Sequence, residues 1–164
     1  MIIRQYKTED CPEIIQLFYD TVHTVNVKDY NPDQLDAWAS KDADIGKWDR
    51  SLSANYTIVV ESDSIIIGFG DLNNTGYFDH LFVHKGFQGQ GIATLILNEI
   101  ERYARKNNIL IITTEASITA KPFFIKHGYR VIKQQTVERK GQMLINFLMR
   151  KQFKIDTKDT WKIP

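Results

Sequence analysis

Between Val83 and Ala93 the chain reads V-H-K-G-F-Q-G-Q-G-I-A, with an apolar run leading in and a helix-like run leading out. Gly89 and Gly91 leave room for a ligand against the backbone and permit positive φ. Amides in such a turn, and in the first helical turn after it, have no partner in the chain and gather partial positive charge. That arrangement suits a phosphate or diphosphate and needs no cationic side chain. Gln88 and Gln90 are indeed neutral. Two other phosphate motifs fit worse. A Walker loop requires Lys and Ser/Thr directly after its last glycine, where Ile92 and Ala93 stand. A dinucleotide turn requires glycine where Thr94 stands.

Three residues near that turn could move a proton. Asp79 and His80 lie on the run leading in, and the period of a strand puts them on opposite faces. Glu115 closes the next apolar run. A Glu or His with a pKa near neutrality, acting directly or through water, would serve as a base. Each also has a plain structural reading: Asp79 bonded to a neighbouring turn, His80 as a satisfied half-buried histidine, Glu115 as a solvated strand end. Cys11 is alone, so it forms no internal disulfide, and it reads as a small buried residue. Four histidines and one cysteine show no ligand spacing, and no metal is expected.

The elements that must hold these groups follow from patterning. Ile2 to Tyr6 reads as a strand. Thr8, Asp10 and Pro12 mark a helix start, with Ile14, Leu17, Phe18 and Val22 on one face. Asn31-Pro32 opens a second helix, and Trp48 and Leu52 suggest a short third turn after a break at Gly46. Strands are predicted at Tyr56–Glu61, Ile65–Leu72 and Tyr77–Val83, joined by turns at 62–64 and 73–76. Gly68 and Gly70 inside a strand require something packed closely there. Ile92 to Asn107 is an amphipathic helix, and Ile109 to Thr113 a strand buried on both faces. Ser117 or Thr119 caps a helix holding Phe123 and Phe124, and Gly128 stops it. A last hairpin, Tyr129–Arg139 and Met143–Arg150, turns at Lys140-Gly141. The result is a mixed α/β chain with helices on both faces of one sheet.

Composition bounds the function. The 164 residues fit one domain, with 43% apolar and 25% charged residues and a formal net charge of +1. No basic excess suggests nucleic acid, no apolar run is long enough to span a membrane, and the N-terminus lacks a signal-peptide layout. With its lone cysteine, the chain is expected in the cytoplasm.

Placed between strand and helix, Gln88-Gly89-Gln90-Gly91-Ile92-Ala93 resembles the acyl-CoA loop of the GNAT acetyltransferase superfamily, Gln/Arg-x-x-Gly-x-Gly/Ala, and matches it in full. The segment Ala120 to Tyr129 sits in register with a second landmark of that family, Asn-x-x-Ala-x-x-Leu-Tyr-x-x-x-Gly-Phe. The resemblance spans residues 1–150, taken as a single GNAT domain with a mostly antiparallel central sheet, and leaves 151–164 as a C-terminal tail. It implies an N-acetyltransferase that moves the acetyl group of acetyl-CoA onto an amine of a small molecule or a peptide. The diphosphate would rest on Gln88, Gly89, Gln90, Gly91, Ile92, Ala93 and Thr94. The pantetheine arm would run along the backbones of Leu81, Phe82 and Val83, with Ser117, Ala120, Phe123 and Phe124 beside it. Phe124 stands where the family usually has a catalytic Tyr, so that position has no proton to give. This departure motivates the alternative of a non-catalytic acyl-CoA-binding module. Tyr30, Trp38, Trp48, Phe69 and Tyr77 could form an aromatic wall for the acceptor, or be core. A homodimer through the 73–76 turn and the tail is a further expectation.

Overall fold

A computed structural model describes residues 1–155. The amino-terminal half is built on a four-stranded antiparallel sheet of β1 (Ile2–Gln5), β2 (Tyr56–Ser62), β3 (Ile65–Leu72) and β4 (Phe78–Val83), in that order. Strand β3 is buried along almost its whole length because helices cover both of its faces. On one face lie α1 (Cys11–Val25), α2 (Pro32–Trp38) and α3 (Ile45–Ala54), which share a core with Val59, Ile66 and Phe69. On the other lies α4 (Ile92–Lys106), whose Ile92, Ile96, Ile100 and Ala104 pack on Ile58, Val60 and Ile67. The glycines of β3 answer to α4. A Cβ on Gly70 would sit 2.7 Å from Ile96 Cγ2 and 3.0 Å from the His80 carbonyl, and one on Gly68 would sit 2.9 Å from Ile96 Cδ1. The helix therefore lies directly on the strand, and its N-terminus is held at the end of β4.

The carboxyl-terminal half adds β5 (Ile111–Ser117), the short α5 (Lys121–Lys126), β6 (Arg130–Arg139) and β7 (Gln142–Gln152). These strands form a second sheet in the order β5-β7-β6. The one sheet expected from the sequence is thus divided. Its halves join at the Tyr77–Thr113 parallel bridge, supported by Thr113 N–H donating to Gly76 O at 3.0 Å and the Thr114 hydroxyl donating to Phe78 O at 2.9 Å. Beyond that point β4 and β5 part and leave a cleft between them.

Other details also depart from the sequence reading. Helix α3 begins at Ile45 and runs through Gly46, because Asp44 Oδ1 caps it by accepting from Lys47 N–H at 3.1 Å. β5 starts two residues later than expected and alternates instead of being buried on both faces, with Ile112, Thr114 and Ala116 inward. Ile109 is drawn back onto the α4 terminus, its N–H donating to Ala104 O at 2.8 Å. Neither Ser117 nor Thr119 is the residue before α5; Ala120 is. The Ser117 hydroxyl accepts from Ala120 N–H at 3.0 Å, while the Thr119 hydroxyl donates to Asp29. β7 continues to Gln152, and Phe153 is buried against Arg105 and Lys151. The remainder of the expected tail, 156–164 with Trp161 and Ile163, lies outside the described residues. No helix among the described residues is long and apolar enough to cross a membrane.

Candidate active site

At the end of β4 the chain passes through a single 3-10 turn, Lys85–Phe87, and enters the glycine turn. Gly89 and Gly91 take φ of +71° and +79°, and at either a Cβ would meet nothing within 4 Å. The glycines are therefore there for backbone conformation and for open space, not for internal packing. Gly91 is the residue before α4, no side chain caps that helix, and its first turn holds no acidic residue. The first helical hydrogen bond is Leu95 N–H to Gly91 O at 3.0 Å. Among the described residues nothing accepts from the amides of Ile92, Ala93 and Thr94. Gln88 braces the turn from below by donating to Val83 O at 2.6 Å. The resulting cup of N–H groups at a helix N-terminus is suited to a diphosphate.

The open edge of β4 supplies a second row of backbone groups. His84 N–H donates to Ile67 O, so alternation along the strand turns the Phe82 amide toward β3 and the Leu81 and Val83 amides toward the gap. That edge lies beside the cleft opened by the divergence of β4 and β5, which has a volume of about 920 Å³. Every residue expected to move a proton or hold the cosubstrate, except Gln90, lines it, from Gln88 through Leu81, Asp79 and His80 to Glu115, Ser117, Ala120 and Phe123. Phe124 reaches its floor but is 3% exposed, packed edge-to-face on Phe78 and Tyr129. His127, at the end of α5, stacks on Phe123 and meets the Thr94 hydroxyl at 3.2 Å.

The expectation that Asp79 and His80 face opposite ways fails for a local reason. Asp71 pairs with His80 and Leu72 with Phe78, so Asp79 is an extra residue bulged out of the ladder. The bulge brings Asp79 Oδ2 to 3.6 Å from His80 Nδ1. A closer partner lies across the hairpin, one the sequence reading missed. Asp71, fully buried, accepts at Oδ1 from His80 Nδ1–H at 2.8 Å and from His80 N–H at 2.9 Å. Its other oxygen accepts from Asn55 Nδ2 at 2.9 Å. A carboxylate on Nδ1 fixes the tautomer and leaves the Nε2 lone pair on the cleft side. The signal was present in the sequence: an aspartate in an otherwise apolar strand, one hairpin away from a histidine. Asp71, Asp79 and His80 are also the group of described residues with metal-like proximity, their ligand atoms within 4.8 Å. Asp71 already accepts three hydrogen bonds there.

The electrostatics follow from burial and charge. Burial pulls the His80 pKa down, but the Asp71 carboxylate, charged and hydrogen-bonded, outweighs it with help from Asp79, and the net shift is upward. Burial raises the Asp79 carboxyl, with Asp71 and Glu115 adding to it and His80 opposing. Burial, then the charges of Glu115 and Asp79, raise the Tyr77 phenol, which stays protonated at neutral pH. Glu115 is exposed on β5, within the same cleft.

Aromatic rings cover the acceptor side. Phe18 lies 5.0 Å from Trp48 and 4.9 Å from Phe82 between ring centroids, and Trp38 lies 5.5 Å from Tyr30. Phe69 is not part of this surface: it is fully buried under His80 and Phe82. Phe18, read from the sequence as part of the apolar face of α1 and buried as such, also lines the cleft.

A split sheet with an amide cup at the crossover is the architecture of an acyl-CoA N-acyltransferase, and comparison with known proteins agrees. Residues 26–152 match the acetyltransferase (GNAT) domain family. The chain is 32% identical over 148 residues to an uncharacterized N-acetyltransferase, YafP, of Escherichia coli, covering 90% of this chain and 93% of that one. It is similar to the crystal structure of a GCN5-related N-acetyltransferase from Rhodopseudomonas palustris, with a TM-score of 0.89, 30% identity, and coverage of 93% and 95%. The fold also matches the paia N-acetyltransferase of Thermoplasma acidophilum in complex with coenzyme A, at a TM-score of 0.76, 18% identity, and coverage of 93% and 98%. The chain therefore belongs to the GNAT family, and is an acetyl-CoA-dependent N-acetyltransferase.

Proposed function

We propose that this enzyme acetylates a primary amine of a small molecule, with His80 as the general base. The Asp71–His80 pair carries the reading: a buried carboxylate on Nδ1 leaves Nε2 free beside the open edge of β4. Acetyl-CoA would place its diphosphate on the amides from Gln88 to Thr94 and its pantetheine along Leu81 and Val83. The thioester carbonyl would then lie near the β4 edge, where an amide N–H stabilises the developing oxyanion. The amine nitrogen attacks the carbonyl carbon, its proton passes to His80 Nε2, and the C–S bond breaks to release CoA thiolate. The imidazolium can return that proton to the thiolate, so a donor at position 124 is not required. Asp79 and Glu115 would draw the amine in as an ammonium, which releases one proton to solvent before the neutral nitrogen attacks.

A small acceptor is favoured over a peptide by the way the cleft is closed. Tyr30 donates to Ile145 O at 2.6 Å and accepts from Ile118 N–H at 2.9 Å, and Gln34 donates to Met143 O at 2.9 Å. These bonds strap the α1–α2 region to β7 and to the segment after β5 at the acceptor end. The test is CoA thiol release with acetyl-CoA and a panel of small amines and short peptides. Turnover confined to peptides would refute the small-acceptor reading, and absence of any turnover above hydrolysis would refute the catalytic assignment.

A further inference from the structure

We propose that the acceptor end of the cleft recognises a primary ammonium held on a short arm from a flat aromatic ring, a proposal that rests on the transferase reading of the site. Two walls face each other there. On one, Trp38, Trp48 and Phe82 are each partly exposed, and all three line the cleft. They are held rigidly, with Phe18 edge-on to Trp38 at 6.4 Å and to Phe82 at 4.9 Å. Such a fixed set of rings offers faces and edges to another ring with little loss of side-chain freedom.

The opposite wall offers acceptors of hydrogen bonds. Asp79 and Glu115 present carboxylates to the cleft. Asn146, on β7 opposite Ser117 of β5, also lines the cleft and has its Oδ1 buried without a partner among the described residues. Carboxylates and an unused carbonyl oxygen match the three N–H groups of an ammonium. His80 lies between the two walls, its imidazole 5.0 Å from Trp48 and tilted by 33°. An amine delivered to Nε2 while its ring rests on Trp48 or Trp38 needs an arm of only a few atoms. Arg139 is the cation facing Asp79 and Tyr77 from β6, and it is exposed. It offers a seat for a carboxylate, which makes an aromatic amino acid the competitor to exclude.

The experiment measures kcat/KM by thiol release from the full chain with acetyl-CoA and four acceptors: 2-phenylethylamine, hexylamine, phenylalanine and an alanine-led peptide. The expected result is a preference for 2-phenylethylamine of about tenfold or more over each of the others. In Trp48→Leu and Trp38→Leu the ratio of kcat/KM for 2-phenylethylamine over hexylamine falls toward unity through KM, with CoA affinity retained. Equal rates for 2-phenylethylamine and hexylamine, or a preference for phenylalanine or the peptide, would overturn the proposal and leave the transferase standing. Tryptophan emission of the CoA-bound wild type gives a second reading that does not depend on turnover. A saturable change with 2-phenylethylamine and none with hexylamine supports the aromatic seat even if no acceptor is turned over, a result that would overturn the transferase assignment alone. No change with either amine overturns the seat.

Discussion

Asp71→Asn is the substitution that probes the active site most directly. The carboxylate holds three donors, one from Asn55 and two from His80, and has no exposure to solvent. Alanine would orphan all three at about 1–3 kcal/mol each and endanger the fold. Asparagine keeps the shape and retains an acceptor, so the protein should still fold. Its oxygen still accepts from His80 Nδ1–H and N–H, but without a negative charge it no longer stabilises the imidazolium formed when His80 takes the proton. General-base assistance is worth about 10²–10⁴ in rate. We therefore expect kcat to fall by that range, about 3–5 kcal/mol on the barrier, with CoA affinity unchanged. The pH profile adds a sign. Asp71 is the main influence raising the His80 pKa, and the base works only when neutral. Wild-type kcat/KM should rise with pH through an apparent pKa above the ordinary histidine value, and in Asp71→Asn any residual acid limb should move down. The matching stability effect runs the other way. The upward shift of His80 stabilises the fold fully below the unfolded histidine pKa, and that contribution is lost as pH rises through the folded one. Steady-state kinetics from pH 5.5 to 9, with calorimetry of CoA binding, reads both. A variant with wild-type kcat and an unmoved acid limb would show that His80 is not the base or that Asp71 does not set its state.

Two further predictions test the parts that hold the cosubstrate. Gly91→Glu should abolish CoA binding in calorimetry, since the new carboxylate sits in the amide cup, at a cost of about 1–2 kcal/mol in stability because a side chain is strained at a φ of +79°; retained affinity would remove the loop assignment. Gly70→Ala should destabilise by about 1–3 kcal/mol in urea unfolding, because Ile96 and the His80 carbonyl stand at 2.7 and 3.0 Å from the new methyl group. An unchanged midpoint would show that α4 can slide off β3 freely.

Much of this protein was legible before any coordinates. The elements that end in glycine, proline or a capping side chain were placed within a residue or two: α2 after Asn31, α4 after Gly91, the last turn at Lys140-Gly141. Local steric rules set those boundaries, and local rules can be read from local residues. The amide cup belongs to the same class, since two glycines before an uncapped helix imply it wherever the rest of the chain goes. Gly46 misled for the converse reason. A glycine is tolerated inside a helix when an N-cap such as Asp44 and the burial of Leu52 outweigh its cost.

What the linear order could not supply is what the two sheets do to each other. The split between β4 and β5 depends on where pairing stops after Tyr77–Thr113, a matter of twist and packing over long separations. The bulge at Asp79 depends on the register of a whole hairpin, and it alone decides that Asp79 and His80 share a side. The pairing of Asp71 with His80 and the assembly of Phe18, Trp38, Trp48 and Phe82 into one wall join residues from five elements. Sequence determined the chemistry available, namely a phosphate cup, an imidazole, carboxylates and rings. Tertiary structure decided which of them meet, because contact across a sheet is fixed by register and burial, and those are properties of the folded chain as a whole.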